Sequence, residues 1–176
     1  MLAGQMEGWF FIAAALLVGA GFVKVRDPAP TSGALATASL PSGKVVVIML
    51  GCVEIVAGLA ALAVGGRITG LALAIIYAGF AVFTAVALTR GLPIQSCGCF
   101  GRSDTPPSWV HVAANTAVVG GALWYAILDG PSLLAVVADQ PLVGVPYLVF
   151  MAAGVGALYL LLTELPRLQA VGAEPS

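Results

Sequence analysis

Two thiols separated by one glycine, Cys97 and Cys99 in Ser96-Cys97-Gly98-Cys99-Phe100-Gly101, are the residues of this chain best suited to chemistry. Such a pair can close a small, strained disulfide ring. Strain makes a disulfide easier to reduce and therefore more oxidising. Gly98 supplies the backbone freedom that the ring needs. The spacing suits thiol–disulfide exchange better than structural stapling. Two plainer readings stand beside it: a pair of ordinary free thiols, or half of a metal site. Zinc would ask for wider C-x2-4-C spacing and two further ligands, with His111 and Asp104 the available donors.

The third cysteine, Cys52, falls about eight residues into an apolar stretch. At 1.5 Å per residue that is roughly 12 Å deep, counted from the same membrane side as the Cys97/Cys99 loop. It can relay a disulfide if the loop dips inward, or simply pack as a small apolar residue. Two residues on, Glu54 is a carboxylate inside the same apolar stretch, which is costly unless it is paired, protonated or facing water. Lys24 is its nearest plausible counter-ion. A Lys24–Glu54 pair would tie the first two spans together, and Glu54 is also a candidate acceptor for the proton that thiolate chemistry moves. His111 and Asn115, four residues apart, share one helical face near the cysteine side. A protonated His111 beside Cys97 or Cys99 would stabilise the thiolate. Both residues can otherwise serve as hydrogen-bonding links between helices, and Trp109 beside them reads as an interfacial anchor.

The elements that position these side chains follow from composition. Of 176 residues, 60% are hydrophobic and 9% charged, whereas a soluble domain is nearer about 25% charged. The net charge of −1 offers no basic face to nucleic acid. Uninterrupted apolar stretches near 9–25, 45–64, 68–88, 109–128 and 142–162 are each long enough, or nearly so, to cross a bilayer. In lipid they must be helical, because unsatisfied backbone groups there are too costly. The expected fold is therefore all-α, a polytopic membrane bundle in one transmembrane domain over 1–165, with a short polar tail over 166–176.

Between the second and third spans stands only Gly65-Gly66-Arg67, which makes those helices antiparallel neighbours. Arg26 to Gly43 is rich in Pro, Ser, Thr, Ala and Gly and reads as a solvated loop. Leu133 to Val137, in the fourth connection, reads as a short interfacial helix. Small residues four apart, Gly66/Gly70 and Ala57/Ala61, would let helices pack closely within the bundle. The leading segment lacks the basic residues of a signal peptide, so cleavage near Ala34-Leu35-Ala36 is not expected. Five spans put the N-terminus, Arg67, Asp129 and Asp139 on one side, and Lys24, Arg26, Lys44, Arg90, Arg102 and Arg167 on the other. By the positive-inside rule the second side, with the cysteine loop, is cytoplasmic. The polar candidates gather in that half, and the opposite half reads as almost wholly apolar.

Taken together, the sequence resembles the MauE family of methylamine-utilisation proteins, within the broader DoxX-like membrane proteins. The resemblance rests on Gly21-Phe22-Val23-Lys24 with Asp27-Pro28, Glu54 followed by Gly58, Cys97-Gly98-Cys99-Phe100-Gly101, and Trp109 with Asn115, about two thirds of the chain. It implies a DoxX-like four-helix core with a fifth transmembrane helix, in a bacterial-type inner membrane. It further implies a role in maturing the disulfide-rich subunit of methylamine dehydrogenase with a thioredoxin-like partner, Cys97 and Cys99 forming the redox centre. His111 departs from the pattern of the fourth span, so its role rests on this sequence alone. A cytoplasmic cysteine loop also sits uneasily with a client outside the membrane, unless electrons are relayed across it.

The leading expectation is a membrane thiol–disulfide redox protein acting through Cys97 and Cys99, with Cys52, Glu54 and His111 as further catalytic candidates and Lys24, Asn115 and Gly98 in support. No cofactor is expected, with quinone and metal left open. A non-catalytic membrane subunit that docks an oxidoreductase partner is the alternative. A small transporter using Lys24 and Glu54 is a third class, disfavoured by the lack of an inverted repeat.

Overall fold

Apolar runs of this length have one way to satisfy their backbone in lipid, and the chain takes it. The computed structural model describes residues 2–94, 107–139 and 141–172, and within them every regular element is a helix. These are α1 (Leu2–Arg26), α2 (Ala29–Thr37), α3 (Lys44–Ala63), α4 (Gly66–Thr89), α5 (Trp109–Leu128), α6 (Leu133–Asp139) and α7 (Pro141–Gly172). Four stretches are long and apolar enough to cross a membrane: Glu7–Arg26 within α1, and the whole of α3, α4 and α5. The stretch expected near 142–162 lies in α7, whose described apolar segment, Pro146–Leu161, is shorter than these four. The helix continues to Gly172, through the first part of the expected polar tail.

α1 is the hub. It packs most extensively against α3 and also meets α5 and α7, while α4 packs most extensively against α5. Phe10, Phe11, Ala13, Ala14 and Leu17 of α1 are buried in one core with Leu73, Tyr77, Ala122 and Tyr125. Small residues set the spacing between helices. A Cβ added to Gly58 would come within 2.7 Å of the Ala14 carbonyl oxygen, and one added to Gly70 within 2.8 Å of Ala126 Cβ. Gly70 thus packs against α5, and Ala61 is fully buried.

The two-glycine turn joins α3 to α4 without making them main packing partners. The reason lies in what fills the turn. Gly65 and Gly66 take φ values of 69° and 84°, a region that glycine enters without strain. Residues 129–132 then wedge against them. Gly66 N–H donates to the Gly130 carbonyl at 2.9 Å, Arg67 N–H donates to Asp129 Oδ1 at 2.7 Å, and a Cβ on Gly65 would lie 2.6 Å from Ser132 N. Asp129 therefore caps α4 from the far end of α5.

The same end holds other satisfied polar groups. Tyr125 donates to the carbonyls of Gly130 and Pro131 at 2.9 and 2.5 Å, and its ring stacks on Phe10 with centroids 3.6 Å apart. Nearer the bundle's middle, Tyr77 donates to the Ala13 carbonyl at 2.7 Å. The half expected to be almost wholly apolar is instead pinned by hydrogen bonds to backbone carbonyls.

The connection from Arg26 to Gly43 is likewise more ordered than a solvated loop. Its central part is α2, with Pro28 at the N-cap and Pro30 in the first turn, where proline needs no hydrogen bond. Alanines at 29, 34 and 36 favour the helix. Ala34 is buried in a small apolar knot with Ala87 at the end of α4 and Ile94 just beyond it. The short helix expected near Leu133–Val137 is α6.

Candidate functional site

Two glycines build the deepest feature of the site. At the α1–α3 crossing, a Cβ on Gly21 would lie 2.5 Å from the Gly51 carbonyl oxygen, and one on Gly51 would lie 2.7 Å from that of Gly21. The backbones thus touch where neither helix has a side chain. Three residues beyond each glycine comes a charge, Lys24 on α1 and Glu54 on α3. Because Cα–Cβ bonds tilt toward a helix's own N-terminus, these side chains lean toward each other in antiparallel helices. The stems pass over the vacated positions: a Cβ on Gly51 would lie 3.1 Å from Lys24 Cβ, and one on Gly21 3.0 Å from Glu54 Cβ.

Lys24 Nζ consequently donates to Glu54 Oε2 at 2.9 Å, with the two side chains 3% and 0% exposed. The ammonium also lies 5.4 Å from the centre of the Phe80 ring on α4, close enough for a cation–π attraction. Lys24 is therefore an interior group and not part of the charged flank. Glu54 Oε1 is buried with no hydrogen-bond partner among the described residues.

Phe80 has a second neighbour. Together with Tyr77, His111 and Asn115 it lines a small cavity of about 30 Å3 between α1, α4, α5 and α7, room for one or two waters. His111 stands in the first turn of α5 and is 2% exposed. Ser108 is the residue on which that helix begins, and its hydroxyl lies 2.8 Å from His111 Nδ1. His111 Nε2 has no partner among the described residues, and neither has Thr84 Oγ1, also buried on α4. Asn115 is half-buried, while Trp109 is 61% exposed, as suits an interfacial anchor.

Cys52 is not brought to this interior. It lies two residues from Glu54, about 200° around the helix at 3.6 residues per turn, and it is exposed on the outward face with Val53 and Met49. The expectations for Cys97, Gly98, Cys99 and Asp104 fall outside the described residues. Among the described residues no three His, Cys, Asp or Glu side chains cluster as a metal site would require.

Several contributors were not singled out from sequence, and Gly21 was read only within the string Gly21-Phe22-Val23-Lys24. The glycine three before each charge and the serine three before His111 are legible spacings, the latter a helix N-cap pattern. Phe80 and Thr84 carry no local signal.

A family model described as methylamine utilisation protein MauE matches residues 8–128. The chain belongs to the MauE family. The MauE match begins in α1 and ends with the last residue of α5, so it takes in all four membrane-length helices and every candidate site residue. With those helices, this MauE-family chain is a multi-pass membrane protein of methylamine utilisation. No curated protein sequence and no solved structure matches it.

Proposed function

We propose that this MauE-family protein exchanges disulfides through Cys97 and Cys99 with a thioredoxin-like partner, in support of a disulfide-bearing client. The observation that carries the reading is the position of Cys97-Gly98-Cys99 within the family match, on the connection that leaves the buried knot at Ile94 and returns to the membrane at Ser108 and His111. In the exchange, a partner thiolate attacks one sulfur of the Cys97–Cys99 disulfide. A mixed disulfide forms, and the other sulfur leaves as a thiolate that takes up a proton. The partner's second thiolate then resolves the mixed disulfide. Two electrons and two protons pass from the partner's dithiol to the pair, and the reverse sequence returns them.

His111 is the group suited to handling a proton, with one ring nitrogen held by Ser108 and the other unpartnered. Lys24 and Glu54 act as positioning residues, because Glu54 already accepts from Lys24 and protonating it would cost the ion pair. Cys52 takes no part. With Lys24 withdrawn to the interior, Arg26, Lys44, Arg90, Arg102 and Arg167 still outnumber Arg67, and the cysteine end is assigned to the cytoplasmic face.

The test is trapping in a Cys52→Ala background. Cys97→Ser or Cys99→Ser should accumulate a mixed disulfide with a partner thiol after acid quenching. Absence of any adduct from either variant would return the chain to the role of a non-catalytic membrane subunit. Labelling of Cys99 in intact cells by a membrane-impermeant maleimide would overturn the cytoplasmic assignment.

A further inference from the structure

His111 is a buried base with one nitrogen bound and the other turned to a cavity wall. Its side chain is 2% exposed, Nδ1 is engaged by the Ser108 hydroxyl at 2.8 Å, and Nε2 has no partner among the described residues. The small cavity that His111 lines is otherwise mostly apolar, with Leu16 and Leu17 on α1, the Phe80 ring on α4 and Leu158 on α7. A second polar side chain of α5 borders it. Asn115 stands four residues after His111 and lines the same space, because residues four apart share a helical face.

Size and surroundings narrow the occupant. A water takes about 10–15 Å3 of such space and needs about two to four polar partners, so a cavity of about 30 Å3 takes one or two waters and nothing much larger. An apolar group there would leave Nε2 unsatisfied, and a buried polar atom without a partner is costly. A small ion would be stripped of its own hydration among these walls.

We infer that this cavity is a hydration site, in which a water bridges His111 Nε2 and the Asn115 side-chain amide. The direction of the hydrogen bonds follows. A water that donates to Nε2 and to the Asn115 oxygen has both of its hydrogens satisfied by α5 alone. Nδ1 then carries the imidazole hydrogen and donates it to Ser108 Oγ. Asn115 is thereby a positioning residue: it acts on the imidazole through the water that it holds. What this order is for rests on the thiol-exchange reading. It keeps the imidazole hydrogen on the Ser108 side, where α5 begins, and the accepting nitrogen on the water side.

His111 is the chain's one histidine, so isotope-labelled histidine reports on this ring alone. In the full chain in lipid bilayers, solid-state NMR should show magnetisation passing from water to the ring, with the hydrogen on Nδ1 and the nitrogen shift of Nε2 that of a hydrogen-bond acceptor. Asn115→Leu removes one of the water's two anchors and should lose the transfer. Ala20→Leu fills the cavity from α1, with both anchors intact, and should lose it too. The two variants reach the cavity from different helices, so disturbance of folding by one leaves the other to decide.

Failure to see the transfer in the unaltered chain overturns the inference. So does transfer of equal strength in both variants, which would mean that bulk water reaches the ring, and a hydrogen found on Nε2 overturns the bridge as drawn. None of these readouts needs a thiol, and a Cys97→Ser/Cys99→Ser chain should give the same spectra. Water contact without any trapped partner adduct would leave the hydration site standing and thiol exchange without support. Trapped adducts without water contact would sink the hydration site alone.

Discussion

The two ends of the bundle solve the same problem in opposite ways. Where α3 turns into α4, the polar groups of the turn are bound: Arg67 N–H by Asp129, Gly66 N–H by Gly130, and the Tyr125 hydroxyl by two carbonyls. In the cysteine-side half, Glu54 Oε1, Thr84 Oγ1 and His111 Nε2 are buried and unpartnered among the described residues. Tyr147 Oη is the other such atom, near Gly8 in the opposite half. Each of these atoms forgoes stability that an apolar side chain would have kept. The bound end therefore reads as scaffold, and the costly end as the part retained for its chemistry.

That contrast is sharpened most by removing one member of the ion pair. Glu54→Leu takes away the carboxylate that balances Lys24 and should lower stability by about 3–5 kcal/mol, whereas Lys24→Met/Glu54→Leu together should recover most of it. Reversible unfolding in mixed micelles measures both, and equal losses in the single and double variants would break the assignment of the pair as an anchor. A smaller effect is expected at the bound end. Asp129→Ala loses the cap on α4 and leaves a β-carbon residue at φ 52°, a cost of about 1–2 kcal/mol. Thiol trapping through Cys97 and Cys99 should be unchanged in that variant, and its loss would show that the bound end is more than scaffold. The least effect belongs to Cys52→Ala, within about 0.5 kcal/mol as for an outward-facing residue, with trapping intact. Abolished trapping there would reinstate Cys52 as a relay.

How far sequence reaches is clear from particular residues. A carboxylate in an apolar stretch needs a partner, and that rule alone led from Glu54 to Lys24. Spans could be read because lipid leaves an apolar stretch of about 20 residues little choice but helix. α2 was hidden by its proline, glycine and serine content, because Ala34 earns its place only against Ala87 and Ile94, distant in sequence. A short turn fixes which helices are consecutive and says nothing about which pack, so the α1–α3 and α4–α5 pairings had to come from the structure. The outward direction of Cys52 is implied once Glu54 is known to face inward, but only Gly51 meeting Gly21 fixes that phase. The bound end depends on Arg67 finding Asp129, 62 positions away, a match that no local pattern announces.

The contact between Gly21 and Gly51 also bears on how this chain can vary. Each position already holds the smallest residue, so a larger side chain at one cannot be accommodated by shrinking the other. The two codons behave as a single locus without a compensating neighbour. Any lineage that lost either glycine would have to respace two helices at once, and with them the register of Lys24 and Glu54.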